Sequence, residues 1–420
     1  MSLPVNPVSP LTPAEQPPAA YLDHAATTPM LPSVVAAMNE QFGLTGNASS
    51  LHAAGRRARR TVEEARERVA DALGARPSEV VFTAGGTESD NLAVKGLFWS
   101  RRADDPRRVR VLASAIEHHA VLDAVLWLGA FAGAEVDWLP VDRLGRVDPA
   151  QVRDRIVNGP GGPGSVAALT CMWANNEVGT LQPVAALAAL AHEFNVPFHT
   201  DAVQAVGAVP VDFADGLSAP DALSFSGHKL GGPVGGSALL LRRETALVPL
   251  QHGGGQEREV RSGTLDVAAI AGLAVAVEEA VHSRAERAGR VAALRDKLIQ
   301  GVRAIAPDAI VGGDLTAAGR LPGNAHIAFP GCEGDALLLL LDAAGVECST
   351  GSACSAGVPE PSHVLVAMGY DDALARASLR FSLGHTSVAA DVDRVLGVLP
   401  EVLVRARAAG AAARARKAAV

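Results

Sequence analysis

The sequence has no apolar run long enough to span a bilayer, so a helical membrane protein is not expected. It has no excess of positive charge either, because the formal net charge is -8 over 420 residues, and direct nucleic-acid binding is therefore disfavoured. Residues 1–20 are proline-rich and have neither the basic start nor the apolar centre of a signal peptide. We expect a cytoplasmic protein with no membrane partner and a disordered extension over residues 1–20.

Cysteine is also scarce. The four thiols, Cys171, Cys332, Cys348 and Cys354, form no CxxC pair and have no nearby CxxH spacing. We therefore expect no zinc site and no other metal. So few cysteines in a long chain without a secretory signal also argue against a disulfide framework. The thiols are expected to be reduced, and each could be inert or reactive.

Short β-rich runs alternate with helical patterns from about residue 78 to residue 242. This alternation is typical of an α/β domain with a mostly parallel sheet. The predicted strands are 79–83, 108–114, 135–140, 165–172, 196–201, 221–226 and 237–242, and the predicted helices between them are 88–101, 120–132, 148–157 and 184–194. A long alanine-rich helix after residue 265, broken at Gly289 if anywhere, leads to a second α/β region. Its predicted strands are 324–329 and 378–383, and its predicted helices are 334–344, 361–368 and 388–407.

Three motifs in the first region carry chemistry. The first is the turn after strand 79–83, where Gly85, Gly86 and Thr87 precede a helix. Free amides at a helix start, with a hydroxyl and a backbone that a ligand can approach closely, suit a phosphate group. Alone, this pattern is as readily an ordinary strand-to-helix turn, and it is neither GxGxxG nor a P-loop.

The other two motifs follow later strands. Asp201 ends strand 196–201, where a carboxylate can hold a protonated ring nitrogen or simply cap a helix. Lys229 follows strand 221–226 among glycines, where a desolvated amine can form a Schiff base, although a single lysine could be a surface residue. In this order, the three motifs are the working parts of a pyridoxal 5'-phosphate site.

Ten ordered stretches over residues 21–405 resemble the cysteine desulfurases of the class V aminotransferase superfamily. They include "YLDHAATTPMLPSV" (21–34), "EHHAVLDA" (117–124), "SFSGHKLGGP" (224–233) and "CSTGSACSAGVPEPSHVL" (348–365). The resemblance implies the α/β fold type I of pyridoxal-phosphate-dependent transferases. It implies a large domain over 37–275, a smaller C-terminal α/β domain made of 21–36 with 276–405, and a basic alanine-rich tail over 406–420.

The resemblance also implies residue roles at the cofactor. Lys229 would bind it covalently and take the substrate proton, Asp201 would pair with the ring nitrogen, and His118 would stack on the ring as a candidate for moving protons. The residues expected at the phosphate are Gly86, Thr87, Ser226 and His228, with Thr264 from the partner subunit of a homodimer. The residues expected at the phenolic oxygen or the substrate are Gln204 and Asn176, with Arg380 on the substrate carboxylate and Asn47 as a further substrate-side candidate.

Cys354 matches the catalytic cysteine of the family. The serine, threonine, glycine and alanine around it are too polar and small for a core, and the glycines are expected to leave the thiol mobile. The resemblance implies conversion of L-cysteine to L-alanine, with the sulfur held as a persulfide on Cys354. The loop is similar to the long-loop group serving iron–sulfur cluster assembly and tRNA thiolation, so scaffold and other sulfur-acceptor proteins are implied partners. Cys348 is interpreted as structural, and nothing supports a reactive role for Cys171 or Cys332.

Two other readings stay open on the sequence. A selenocysteine lyase or a kynureninase-like enzyme would share the cofactor residues without needing a protein persulfide. A non-catalytic member of the family would only organise cluster-assembly partners. The joint presence of Lys229, Asp201, His118, Cys354 and Arg380 disfavours this last possibility.

Overall fold

The computed structural model describes residues 19–214, 216–350 and 361–418, with side chains up to residue 412. Residues 1–18 of the predicted extension and Cys354 lie outside the described residues. Ala20, which the sequence assigned to the extension, pairs with Val346 in a short parallel ladder.

The strands, in chain order, are β1 (Ala20–Tyr21), β2 (Val80–Thr83), β3 (Arg110–Ser114), β4 (Glu135–Leu139), β5 (Val166–Thr170), β6 (Phe198–Asp201), β7 (Ala222–Ser226), β8 (Ser237–Leu241), β9 (Ile310–Val311), β10 (Asn324–Ala328), β11 (Val346–Glu347) and β12 (Ser378–Ser382). The helices are α1 (Pro32–Phe42), α2 (Ala53–Leu73), α3 (Gly86–Asp104), α4 (His119–Phe131), α5 (Pro149–Asn158), α6 (Val184–Glu193), α7 (Val267–His282), α8 (Arg284–Ile305), α9 (Gly334–Ala343), α10 (His363–Ala367), α11 (Asp372–Arg376) and α12 (Ala389–Ala418). No helix in the described part of the chain is long and apolar enough to cross a membrane.

A seven-stranded sheet in the order β2-β8-β7-β6-β5-β3-β4 forms the centre of the larger core. Only β8 runs antiparallel to its neighbours in this sheet, so the predicted mostly parallel arrangement is confirmed. Most of its strands are buried along their whole length, as strands covered on both faces should be. Every strand predicted between residues 78 and 242 is present, within two residues at each end.

Helix α2 shows how the sequence builds a layer of this core. Its buried residues Val62, Ala65, Val69 and Leu73 recur every three or four positions and therefore form one apolar stripe. The helix ends at Gly74, whose φ of 68° is the left-handed conformation that glycine adopts easily.

A three-stranded antiparallel sheet in the order β12-β10-β9 belongs to the smaller core. Helices α8, α9 and α12 cover it with apolar side chains that include Leu298, Leu337 and Leu399, which belong to the same cluster as Phe381 of β12. The β1–β11 ladder lies beside this core, since Leu22 is part of the same apolar cluster.

Two boundaries differ from the sequence predictions. The long helix breaks at Ser283 instead of Gly289, because α7 packs into the larger core and α8 into the smaller one, and the chain must change direction between them. Val34 of α1 lies in the larger core, whereas the sequence assigned residues 21–36 to the smaller domain. A Cβ at Gly272 of α7 would lie 3.2 Å from Val34 Cγ1, so the two helices pack closely through this glycine. The remaining domain bounds stay a prediction.

Candidate active site

A cavity of about 350 Å³ opens at the carboxyl ends of β6 and β7, where ligands bind in open α/β sheets. It collects ten of the thirteen residues predicted from the sequence: Gly86, Thr87, His118, Asn176, Asp201, Gln204, Ser226, His228, Lys229 and Arg380. Residues far apart in the chain therefore converge on one site.

The other three predicted residues are not placed at this cavity within the described chain. Asn47 is exposed in the loop between α1 and α2, where its Oδ1 accepts a hydrogen bond from the Ser49 amide at 2.9 Å. Thr264 is exposed as well, and the sequence assigned it to the site of a partner subunit. Cys354 lies outside the described residues. The roles of all three stay predictions.

Lys229 follows β7 in a short helical turn, and its amine contacts the backbone of residues 25 and 26. Its Nζ donates hydrogen bonds to the carbonyl oxygens of Ala25 at 2.5 Å and Ala26 at 2.6 Å. Burial, and then the positive charge of Arg380, lower the pKa of Lys229 to about 8. The amine therefore gives up its proton far more readily than an ordinary lysine, as attack on a carbonyl requires.

Asp201, at the end of β6, and His118, just before α4, both line the cavity. Oδ1 of Asp201 accepts a hydrogen bond from the Val203 amide at 2.8 Å, and burial followed by the charge of Asp90 raises the pKa of Asp201 to about 7. A buried carboxyl of this kind gains most from a cationic partner. His118 caps α4 by accepting a hydrogen bond from the Ala120 amide at 3.2 Å, and burial lowers its pKa, so the ring is neutral.

The opposite end of the cavity is formed by the start of α3. Gly85 precedes this helix without a side-chain cap, which leaves amides of the first turn for a ligand. A Cβ on Gly86 would lie 3.0 Å from Val203 Cγ2 and 3.6 Å from Ser226 Cβ. A side chain at residue 86 would therefore crowd this wall, and the bare backbone of the helix start is suited to an anion.

Arg380, on β12, brings a guanidinium to the cavity from the smaller core. One Nη donates to Asp23 Oδ1 at 2.8 Å and the other to the Asn176 carbonyl at 3.1 Å, while Nε is buried without a hydrogen-bond partner. The fork is thus fixed in place and keeps donor capacity for a carboxylate.

The segment that contains Cys354 begins and ends at this cavity. Ser349, just before it, exchanges two backbone hydrogen bonds with Arg380, at 2.7 and 3.2 Å. His363, just after it, lies against the Glu117 carbonyl with its Nε2 at 2.9 Å. Both Ser349 and His363 line the cavity.

The described cysteines are poor nucleophiles. Burial raises the pKa of Cys348 to about 12 and raises that of Cys171 well above its ordinary value. Cys332 is buried in the smaller core. The Cys348 and Cys171 thiols therefore stay protonated at neutral pH, in agreement with the structural interpretation of Cys348 and with the absence of support for a reactive Cys171.

Sequence reasoning missed four carboxyls at the site: Asp23, which holds Arg380, and Asp90, Glu117 and Glu177, which are buried in the cavity wall. A signal for Asp90 was present, because it is spaced at i, i+3, i+4 and i+7 with the buried residues Ala93, Val94 and Leu97. The helical period therefore places this acid on the inner face of α3.

Comparisons with known proteins agree with the family resemblance of the sequence. The family model for aminotransferase class V matches residues 20–395. The chain is similar to an IscS-like cysteine desulfurase of Mycobacterium tuberculosis, with 58% identity over 94% of this chain and 98% of that protein. It is 42% identical to the cysteine desulfurase NifS of Azotobacter vinelandii over 92% of this chain and 93% of that protein. Among solved structures, a NifS-like protein has a TM-score of 0.83 at 34% identity, covering 92% of this chain and 99% of that one.

Proposed function

The chain belongs to the class V aminotransferase family and, within it, to the cysteine desulfurases, and on this premise we propose which of its residues carry the reaction. The family predicted from the sequence is thereby confirmed. The observation that carries the proposal is the convergence of Lys229, Asp201 and Arg380 on one cavity, with an anion-binding helix start at its far end.

The residues of the cavity fit pyridoxal 5'-phosphate. Gly86, Thr87, Ser226 and His228 would hold the phosphate, Asp201 the ring nitrogen and Lys229 the carbonyl carbon, with Thr264 completing the phosphate site from the second subunit of a homodimer. The glycine-walled helix start and the buried carboxyl of Asp201 support this assignment. When bound, the cofactor would supply a place for the electrons released at the substrate Cα.

The protein side chains would orient L-cysteine and move its protons. Arg380 would grip the substrate carboxylate, with its fork fixed by Asp23 and the Asn176 carbonyl. Lys229, with a pKa of about 8, would take the proton from Cα as a general base. His118 would stack on the ring, and Gln204 and Asn176 would contact the phenolic oxygen or the substrate.

Sulfur would leave the substrate on Cys354. The thiolate would form an S–S bond with the substrate sulfur while the C–S bond breaks, and the electron pair of that bond would stay on the carbon fragment. This fragment takes up a proton and leaves as L-alanine, so that L-cysteine and the thiol give L-alanine and a persulfide. The persulfide would then serve acceptors in iron–sulfur cluster assembly or tRNA thiolation. The entry and exit of this segment at the cavity, through Ser349 and His363, support the assignment.

Mass spectrometry after brief exposure of the full-length protein to L-cysteine tests the proposal. We expect one added sulfur on the peptide containing Cys354, and loss of that sulfur and of alanine formation in Cys354→Ser. Cys348→Ser is the matched control and should keep both. Added sulfur on Cys348, with full activity in Cys354→Ser, would overturn the assignment.

A further inference from the structure

A buried polar cluster lies beneath the ring-nitrogen end of the cavity. His199 is two residues before Asp201 on β6, so both side chains lie on the same face of the sheet. Thr170 on β5 and Ser224 on β7 are in register with His199 and Asp201, respectively, and lie on that face as well. All four residues are buried where sheet and helix would ordinarily meet through apolar side chains.

Hydrogen bonds connect the members of this cluster. Nδ1 of His199 lies 2.9 Å from Thr170 Oγ1, and Nε2 lies 3.0 Å from Ser224 Oγ. The imidazole is therefore fixed at both nitrogens. Burial lowers the pKa of His199 to about 4, so it is neutral at physiological pH.

Asp90 of α3 is the fifth member of this cluster. Its Oδ1 is 3.5 Å from His199 Nε2 and has no direct hydrogen-bond partner, and Asp90 forms part of the cavity wall next to Asp201. Its neighbour in the cluster, Ser224, stabilises the charged form by hydrogen bonding. When it is ionised, a buried carboxyl with an unsatisfied oxygen on a ligand cavity is stabilised by a positive charge on the ligand.

We propose that the ring-nitrogen end of the cofactor site contains two carboxyls, with Asp201 in contact with the nitrogen and Asp90 behind it as a positioning residue that favours a cationic ring. The inference rests on the proposed function, because it assumes that pyridoxal phosphate occupies this cavity. Asp90 acts on the ring through space and through Asp201. Ser224 hydrogen-bonds to its carboxyl, and the His199 ring lies beside it.

The effect of Asp90 depends on pH. Burial raises its pKa to about 7, so the carboxyl is protonated in mildly acidic solution and charged in mildly basic solution. The other titratable groups around the pair are His199 from β6, Glu117 and His118 before α4, and Lys229 after β7. Of these, His199 is neutral throughout the range. Asp90 therefore carries its negative charge only above about pH 7.

The affinity of the Asp90→Asn variant for the cofactor tests whether the charge of Asp90 acts on the ring nitrogen. The full-length apoprotein is titrated with pyridoxal phosphate and with the analogue in which carbon replaces the ring nitrogen. One pKa unit of coupling is about a tenfold change in affinity. We expect Asp90→Asn to bind pyridoxal phosphate about tenfold more weakly near pH 8.5 and within about twofold of the parent near pH 6. Binding of the carbon analogue should be unchanged at both pH values.

Matched variants distinguish an effect of the Asp90 charge from an effect on the shape of the cavity. Asp123→Asn, at an exposed acid on α4, should change nothing. Ser224→Ala removes the hydrogen bond that stabilises the charged form of Asp90, so the rise in affinity with pH should begin at a higher pH. This variant decides the question if Asp90→Asn does not fold, and an unchanged onset would then overturn the inference.

Different results would overturn the inference about Asp90 and the proposed function. Equal weakening of both ligands by Asp90→Asn would mean that Asp90 only shapes the cavity, and it would overturn the inference while leaving the proposed function intact. Failure of the unmodified protein to bind pyridoxal phosphate at all would overturn the proposed function itself.

Discussion

Replacing Arg380 by lysine tests the substrate end of the site. The change keeps a positive charge but loses the planar fork that Asp23 and the Asn176 carbonyl hold in place. A hydrogen bond to a charged group contributes about 1.5 to 3 kcal/mol. Losing one such bond to the substrate carboxylate should therefore lower kcat/KM for L-cysteine by about 10- to 150-fold.

Alanine formation at varied L-cysteine concentration measures the effect of Arg380→Lys. The loss should lie mainly in KM, because carboxylate binding is shared by the ground state and the transition state. Arg320→Lys is the matched control, because Arg320 is also a buried arginine that donates to a backbone carbonyl, that of Val178, but does not line the cavity. An unchanged KM in Arg380→Lys, or an equal rise in Arg320→Lys, would refute the assignment of Arg380 to the substrate carboxylate.

Two further predictions concern the cofactor end and the buried acids. Gly86→Ala should weaken pyridoxal phosphate binding at least about tenfold, because its Cβ would meet Val203 Cγ2 at 3.0 Å, and calorimetric titration that finds parental affinity would contradict the tight wall. Burial raises the pKa of Glu117 to about 8, whereas the same carboxyl in the unfolded chain loses its proton near pH 4. Between these pH values only the folded apoprotein keeps this proton, so its free energy of unfolding falls as the pH rises. Urea unfolding measures the difference in free energy of unfolding between Glu117→Gln and the parent apoprotein, and this difference should shift in favour of the variant by more than about 1 kcal/mol from pH 5 to pH 8. A difference that does not depend on pH would show that the Glu117 carboxyl is not held protonated.

The sequence predicted the parallel sheet well, since its strands are short, several are apolar on both faces, and most are followed by a helical pattern. It predicted the break in the long helix poorly, because Ser283 is an ordinary helix residue and only the packing of α7 and α8 on different cores selects it. The convergence of Gly86, Asp201 and Lys229 on one cavity was predictable, because a glycine turn, a strand-end aspartate and a lysine among glycines have few other reasons to occur in this order. Asp23 was not, because nothing local shows that it will meet Arg380, which is 357 positions away.

The start of the described chain completes the lysine pocket from a distance. Ala25 and Ala26 receive the Lys229 amine, Thr28 bonds to the His228 carbonyl, and the His24 amide bonds to Ser382. Residues 24–28 are thus held in place partly by β12, which is synthesised much later. A nascent chain that has not yet released β12 from the ribosome lacks the contacts that hold this segment, and chains truncated before residue 378 should not capture the cofactor stably.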